Sequence, residues 1–341
     1  MAPARPNLPF RLANRALDVA FLPGTEPLWL RRRHGRVMCL LYHRVADPSR
    51  DPYAFLTRGG LPATAPAELE WDLRYLARLG ARFMTFAQIL SGEFPPPDEF
   101  GIVVAFDDCF ADNHSTGRDI LKAVGIKATF FQTSGLIDGS VLIWEHALYW
   151  YSRNRDALTR LHSAANAVLV RSGHAEIEHA EDVVPVLRES TPYEIVREIL
   201  DEAATNNVLV EGLPELPGAL YPTSEQVRTT SALGHDIGCH GHQHLKRATI
   251  TADLFREDVE HACDILGSLL GAVPRAYAFP FSSHMPGDEA ICRQASFEMA
   301  ATVERNRDIT WPLTYYVPRF TWPGPARNSF RRRRWLLTGT I

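Results

Sequence analysis

Two adjacent carboxylates, Asp107 and Asp108, stand directly after the apolar run Ile102–Phe106. Like charges that close repel, and each resists desolvation. A buried strand that runs into them needs a compensating cation, a metal or a shared proton. A second polar cluster, GCHGHQHLKR, holds His240, His242 and His244 and follows the short strand-like run HDIG. Two histidines four residues apart lie on one face of a helical turn and can share a metal, whereas an extended segment would align all three. With Gly241 loosening the backbone, a helical turn is expected, which selects His240 and His244. Two imidazoles and one carboxylate leave positions open on zinc or a similar divalent ion. Neighbouring side chains at a strand end diverge, so one aspartate can bind the metal while the other faces its water.

The elements that must position these groups alternate along the chain. Arg36–His43 (RVMCLLYH) reads as a first strand. Leu69, Leu73, Leu76 and Leu79 follow at helical spacing before Gly80. ARFMTF, IVVAF, KATFFQ, HDIGCH, RAYAFPF and FEMAATV read as further strands, separated by helical patterns such as STGRDILKAVG and TADLFREDVEHACDILGSLLG. Repeated strand–helix alternation means a parallel α/β architecture, and roughly seven strands point to closure as a barrel. In such barrels the C-terminal strand ends converge on one face, where both polar clusters fall. The rhythm changes between about residues 141 and 222, where DALTRLHSAANAVLV and TPYEIVREILDEAAT predict an amphipathic helical insertion. Residues 1–35 read as an N-terminal extension, 36–325 as the catalytic domain and 326–341 as a basic tail.

The 341 residues carry a net charge of −4, which argues against a general nucleic-acid binder. Five cysteines, an odd number without a CxxC pair, suggest reduced thiols and a cytoplasmic setting. No window reaches transmembrane length, although the segment Phe10 to Leu22 leaves room for a peripheral membrane contact. The basic runs Arg31–Arg33 and Arg331–Arg334 read as solvated charge.

From about Val37 to about Arg319 the chain resembles the polysaccharide deacetylases of the NodB homology type (carbohydrate esterase family 4). AFDDCFADNHSTGRDILKAVGIKATFF is similar to that family's TFDDG motif with its following helix and strand. GHDIGCHGHQHLKR is similar to its H-[ST]-x-x-H motif, YAFPFSS to its third loop, and LLYHRV to a frequent leader strand. The resemblance implies a distorted (β/α)7 barrel, with Asp108, His240 and His244 as ligands of a divalent metal, zinc first and Co2+, Ni2+ or Mn2+ after it. It implies Asp107 as general base and a backbone N–H near Phe281 as oxyanion donor, in hydrolysis of the acetamide of an N-acetylated amino sugar. Tyr42 and His43 at the end of the first strand, Pro280 and Trp144 are the candidate substrate contacts. Trp144, Tyr149 and Trp150 fit either a sugar-stacking wall or a buried helix face.

Four departures from the pattern stand out. Cys109 replaces a usual Gly, and Gly241 a usual Ser or Thr. Ala278 stands where a frequent version of the third motif has an Arg, so Arg319 in YVPRF is expected to pair with Asp107 instead. No histidine follows His284, where the family's catalytic acid usually lies, so protonation of the leaving amine falls to His284, to His43, to metal-bound water, or to no group at all. Two other functions share these residues: a deformylase or other C–N hydrolase of the same fold, and a catalytically silent carbohydrate-binding protein. The particular sugar and the oligomeric state are left open.

Overall fold

The computed structural model describes residues 24–47, 49–61, 63–139, 142–205, 219–304 and 308–321. The segment Phe10 to Leu22, the run Arg331–Arg334 and the tail 326–341 lie outside the described residues. Ten strands occur among them: β1 (Val37–Tyr42), β2 (Arg44–Val45), β3 (Ala63–Thr64), β4 (Arg82–Met84), β5 (Gly101–Phe106), β6 (Thr129–Gln132), β7 (Asp236–Cys239), β8 (Ala276–Ala278), β9 (Met299–Val303) and β10 (Tyr316–Thr321). Seven of them close into a parallel barrel in the order β1, β10, β9, β8, β7, β6, β5, with β5 returning to β1 over the full register Val37↔Gly101 to Tyr42↔Phe106. The fold is therefore a (β/α)7 barrel. Its distortion has a definite place. β1 occupies one whole edge of β5. The other edge is divided: β4 pairs with its first half (Arg82–Met84 against Gly101–Val103), and β6 with its second half through Ala105 and Phe106.

Period-two alternation sets which side chains enter the barrel. Val37, Cys39 and Leu41 of β1 join Val103, Ala105, Ala276, Ala278, Ala301 and Val317 in one buried cluster. Met38, Leu40 and Tyr42 face the other way and pack with Ile102, Val104 and Phe106. The helices Pro66–Arg78 and Arg118–Val124 cover that outer layer with Leu69, Leu73, Leu76 and Leu121. Burial on both faces explains why these strands read as continuous apolar runs. The alanines inside leave space, and Arg319, two residues beyond inward-facing Val317, fills it with its side chain fully buried.

Between β6 and β7 the helices Trp144–Tyr151, Arg155–Arg171, Val183–Glu189 and Tyr193–Thr205 build a separate apolar cluster around Leu148, Leu161, Val168, Leu187, Val196 and Ile199. Leu245, from the loop after β7, joins that cluster and ties the insertion to the barrel mouth. Before β1, Leu30 packs into the outer layer and Arg33 pairs with Asp308, so residues 24–35 lie on the barrel where they are described. No helix among the described residues is long and apolar enough to cross a membrane.

Candidate active site

At the C-terminal ends of the strands lies a cavity of about 430 Å³. It is lined by Leu41, His43, Leu61, Asp107, Asp108, Glu145, Tyr149, Arg188, His240, His244, Phe279, Phe281 and Arg319, among others. Asp107 and Asp108 leave the end of β5 in different directions because the chain turns sharply there: Asp108 has φ 69° and Cys109 φ 58°, in the left-handed region that L-residues with a Cβ avoid. His244 (φ 54°) and Phe281 (φ 58°) are held the same way. Four such residues at one barrel mouth mark it as a strained, functional region.

The Asp108 Oδ1 atom lies 3.3 Å from His240 Nε2 and 3.1 Å from His244 Nε2, and one donor atom from each residue falls within a 4.8 Å cluster. All three side chains are buried. His240 Nδ1 sits 2.7 Å from the carbonyl of Ala278, the contact that holds a proton on Nδ1 and leaves Nε2 free as a donor. Burial alone raises the pKa of Asp108, but the combined pull of His244, His43 and His240 holds its carboxylate well below the usual range. Burial lowers His244, and Asp108 with Glu145 outweighs it, raising the imidazole to about 10. Three convergent, desolvated nitrogen and oxygen donors with no apolar filler between them fit a divalent cation such as zinc.

Asp107 has a separate partner. Arg319 Nη1 donates to its Oδ1 at 2.6 Å, while Oδ2 lies 3.7 Å from His240 Nε2. The guanidinium also sits over the ring of Phe131 at 5.0 Å. Ala278, which faces the same interior as Arg319, leaves the volume this side chain uses.

The loop after β7 is not the helical turn expected from the His240/His244 spacing. It is irregular from Gly241 to Lys246, with Gly241 at φ 76° and His244 at φ 54°. The two Nε2 atoms still converge because Asp258, buried on the helix Ala252–Leu270, accepts from the backbone N–H groups of His242 and Gln243 at 2.9 and 2.8 Å. A Cβ at position 241 would stand 2.6 Å from Asp258 Oδ2, which accounts for Gly in place of Ser or Thr. His242 points elsewhere, to Ser134 Oγ at 3.0 Å.

The remaining expected residues divide. His43 and Phe281 line the cavity. His284 does not; it is exposed and stacks on Tyr316 at 4.9 Å. Tyr42 faces the outer layer, its hydroxyl donating to Asp72 at 2.9 Å, and Pro280 is buried beneath its loop. Trp144 lies behind His244: its indole N–H donates to the His244 carbonyl at 3.1 Å and its ring packs on Phe281 and Tyr193. Cys109 donates to Gln132 Oε1 at 3.0 Å, and burial pushes its thiol and that of Cys239 far up, so neither supplies a thiolate. Sequence reasoning missed Glu145, Arg188 and Asp258. The only signal for them was charge on otherwise buried helix faces.

Residues 95–300 match the family model for polysaccharide deacetylase, more than half of the chain. The protein therefore belongs to the polysaccharide deacetylase family, hydrolases of carbon–nitrogen bonds in carbohydrates. Among solved structures it is similar to a Streptococcus pyogenes deacetylase, PplD, determined in complex with acetate, at 14% identity over 85% of this chain and 93% of that one, TM-score 0.54. It is also similar to IcaB from Ammonifex degensii (18% identity, 90% and 99% coverage, TM-score 0.54). A third likeness is to a de-N-acetylase from Aggregatibacter actinomycetemcomitans (16%, 83% and 94%, TM-score 0.53). At these identities the likeness is one of fold. No curated protein matches the chain.

Proposed function

We propose that the protein is a metal-dependent N-deacetylase acting on an N-acetylated amino sugar in a glycan, oligosaccharide or lipid-linked precursor. The observation that carries this reading is the meeting of an arginine-paired carboxylate, Asp107, with the donor set Asp108, His240 and His244 in one cavity. Its volume of about 430 Å³ falls within the range of small-ligand sites, ~300–1,000 Å³. When bound by Asp108, His240 and His244, a divalent ion, zinc foremost, supplies Lewis-acid polarisation of the acetamide carbonyl. Asp107, aligned by Arg319, takes a proton from the attacking water as it adds to that carbonyl carbon. His43, a cavity histidine outside the set Asp108, His240 and His244, returns a proton to the nitrogen as the C–N bond breaks. Acetate and a free amine leave. Five unpaired cysteines, four of them buried, favour a reducing, cytoplasmic setting. The net charge of −4 favours a carbohydrate over a nucleic-acid partner.

Mass spectrometry of N-acetyl-amino-sugar oligomers and lipid-linked intermediates, incubated with wild type and Asp107→Asn, tests this. A loss of about 42 Da, one acetyl group exchanged for hydrogen as amide hydrolysis requires, is expected with wild type alone. Equal product from the variant would remove Asp107 from the role of base. A loss of about 28 Da from N-formylated counterparts, with the N-acetyl substrates untouched, would identify a formyl group as the one cleaved.

A further inference from the structure

His244 is approached on its two ring nitrogens by two different carboxylates. Nε2 faces Asp108 Oδ1 at 3.1 Å. Nδ1, on the other edge of the ring, faces Oε2 of Glu145 at 3.3 Å. Glu145 is 2% exposed and comes from the helical insertion, as the second residue of the helix Trp144–Tyr151. Its other oxygen is fully engaged: Oε1 accepts from the Tyr149 hydroxyl at 2.7 Å and from Arg188 Nε at 2.8 Å. Arg188 belongs to a second insertion helix, Val183–Glu189, and lies over the Phe281 ring at 5.0 Å. The carboxylate is thus locked from two sides with Oε2 aimed at the imidazole.

Glu145 Oε2 and His244 Nδ1 are both buried, and neither has an aligned hydrogen-bond partner among the described residues. Buried polar atoms are almost always satisfied, and here the two stand 3.3 Å apart. The contact is close, and His244 is held at φ 54° beside it. The same helix grips His244 a second time through the Trp144 indole N–H on its carbonyl. Glu145 is not placed as a fourth ligand, because an oxygen beside Nδ1 lies across the ring from the nitrogen that faces Asp108.

The geometry points to Glu145 as the positioning residue of the metal centre: it takes the Nδ1–H of His244 and so fixes the Nε2 lone pair toward the cation. The inference rests on the metal-dependent reading above and extends it by making the helical insertion part of the centre. A carboxylate behind a metal-bound histidine fixes its tautomer and raises its basicity, and loss of such a partner typically weakens metal binding by about 10–100-fold.

The test is zinc affinity of the stripped full-length protein, measured by chelator competition, together with thermal melting of the metal-free forms. The variants are Glu145→Ala, Glu145→Gln, His244→Ala and, as an exposed control, Glu198→Ala. Glu145→Ala is expected to weaken zinc binding by about 10–100-fold. Glu145→Gln, which keeps an acceptor but loses the charge, should fall several-fold short of wild type and above the alanine variant. The control should match wild type. A purely structural Glu145 would lower the melting temperature and leave the affinity of the folded protein unchanged, which overturns the inference. If the alanine variant does not fold, a glutamine variant with wild-type affinity overturns it equally. Failure of the metal reading looks different: wild type and His244→Ala would then bind zinc alike.

Discussion

Replacing Arg319 with Met removes a charge from the most enclosed part of the site and leaves the rest of the barrel in place. The guanidinium is fully buried, donates to Asp107 at 2.6 Å, reaches the Thr302 carbonyl at 3.5 Å and covers the Phe131 ring at 5.0 Å. Methionine fills much of the aliphatic volume, so the loss is mainly electrostatic: Asp107, 3% exposed, keeps its charge without its partner. Breaking one side of a buried pair costs about 3–5 kcal/mol. At roughly 2–4 °C per kcal/mol, the melting temperature should drop by about 6–12 °C, the lower part of the product because the chain is long. Urea unfolding of Arg319→Met, Asp107→Asn and the double variant, all metal-free, separates the pair from its surroundings. In the double variant no carboxylate is left uncompensated, so its loss should be smaller than the sum of the singles by about 2–3 kcal/mol. Additive losses, or an Arg319→Met variant within about 1 kcal/mol of wild type, would show that the two groups are not a desolvated pair.

Cys109→Gly should be close to neutral in thermal melts, because relief of the φ 58° strain offsets the lost Sγ–Gln132 hydrogen bond. Cys109→Ala keeps the strain, loses the bond and should cost about 1–2 kcal/mol. Burial lowers His114 from about 6.5 to about 4. Between those values the unfolded chain binds the extra proton, so stability falls as pH drops from 6.5 toward 4, by on the order of 3 kcal/mol for this group, and His114→Gln should flatten that slope in denaturant titrations. In steady-state kinetics His43→Gln should lower kcat by about 10²–10⁴, the usual worth of a general acid, while exposed His284→Gln leaves it within about twofold.

Much of the barrel was legible because burial on both faces leaves an unmistakable trace: IVVAF and VMCLLY are apolar throughout and separated by helical spacing. The two polar clusters were legible for the complementary reason, that charge at the end of such a run demands compensation. What was hidden depended on distance in sequence. Asp107 and Arg319 are 212 residues apart, and nothing local to YVPRF distinguishes an inward arginine from one closing a strand at the surface. The shape of the histidine loop is set by Asp258 from the next helix, so local spacing suggested a helical turn where tertiary hydrogen bonds impose an irregular one. Glu145 looked like any helix-opening acid beside aromatic residues, and its contacts with Arg188 and His244 come from elements far along the chain. Tyr42 and His43 follow period two. One residue separates a side chain packed outside the barrel from one that lines the cavity.

The most direct measurement is acetate release from an N-acetylated amino-sugar oligomer by chelator-stripped protein titrated with zinc. The account predicts negligible release without metal, a linear rise that saturates at one zinc per chain, and no recovery for His240→Ala at the same zinc concentrations. Full acetate release by the stripped protein, or release indifferent to added metal and to His240→Ala, would contradict it.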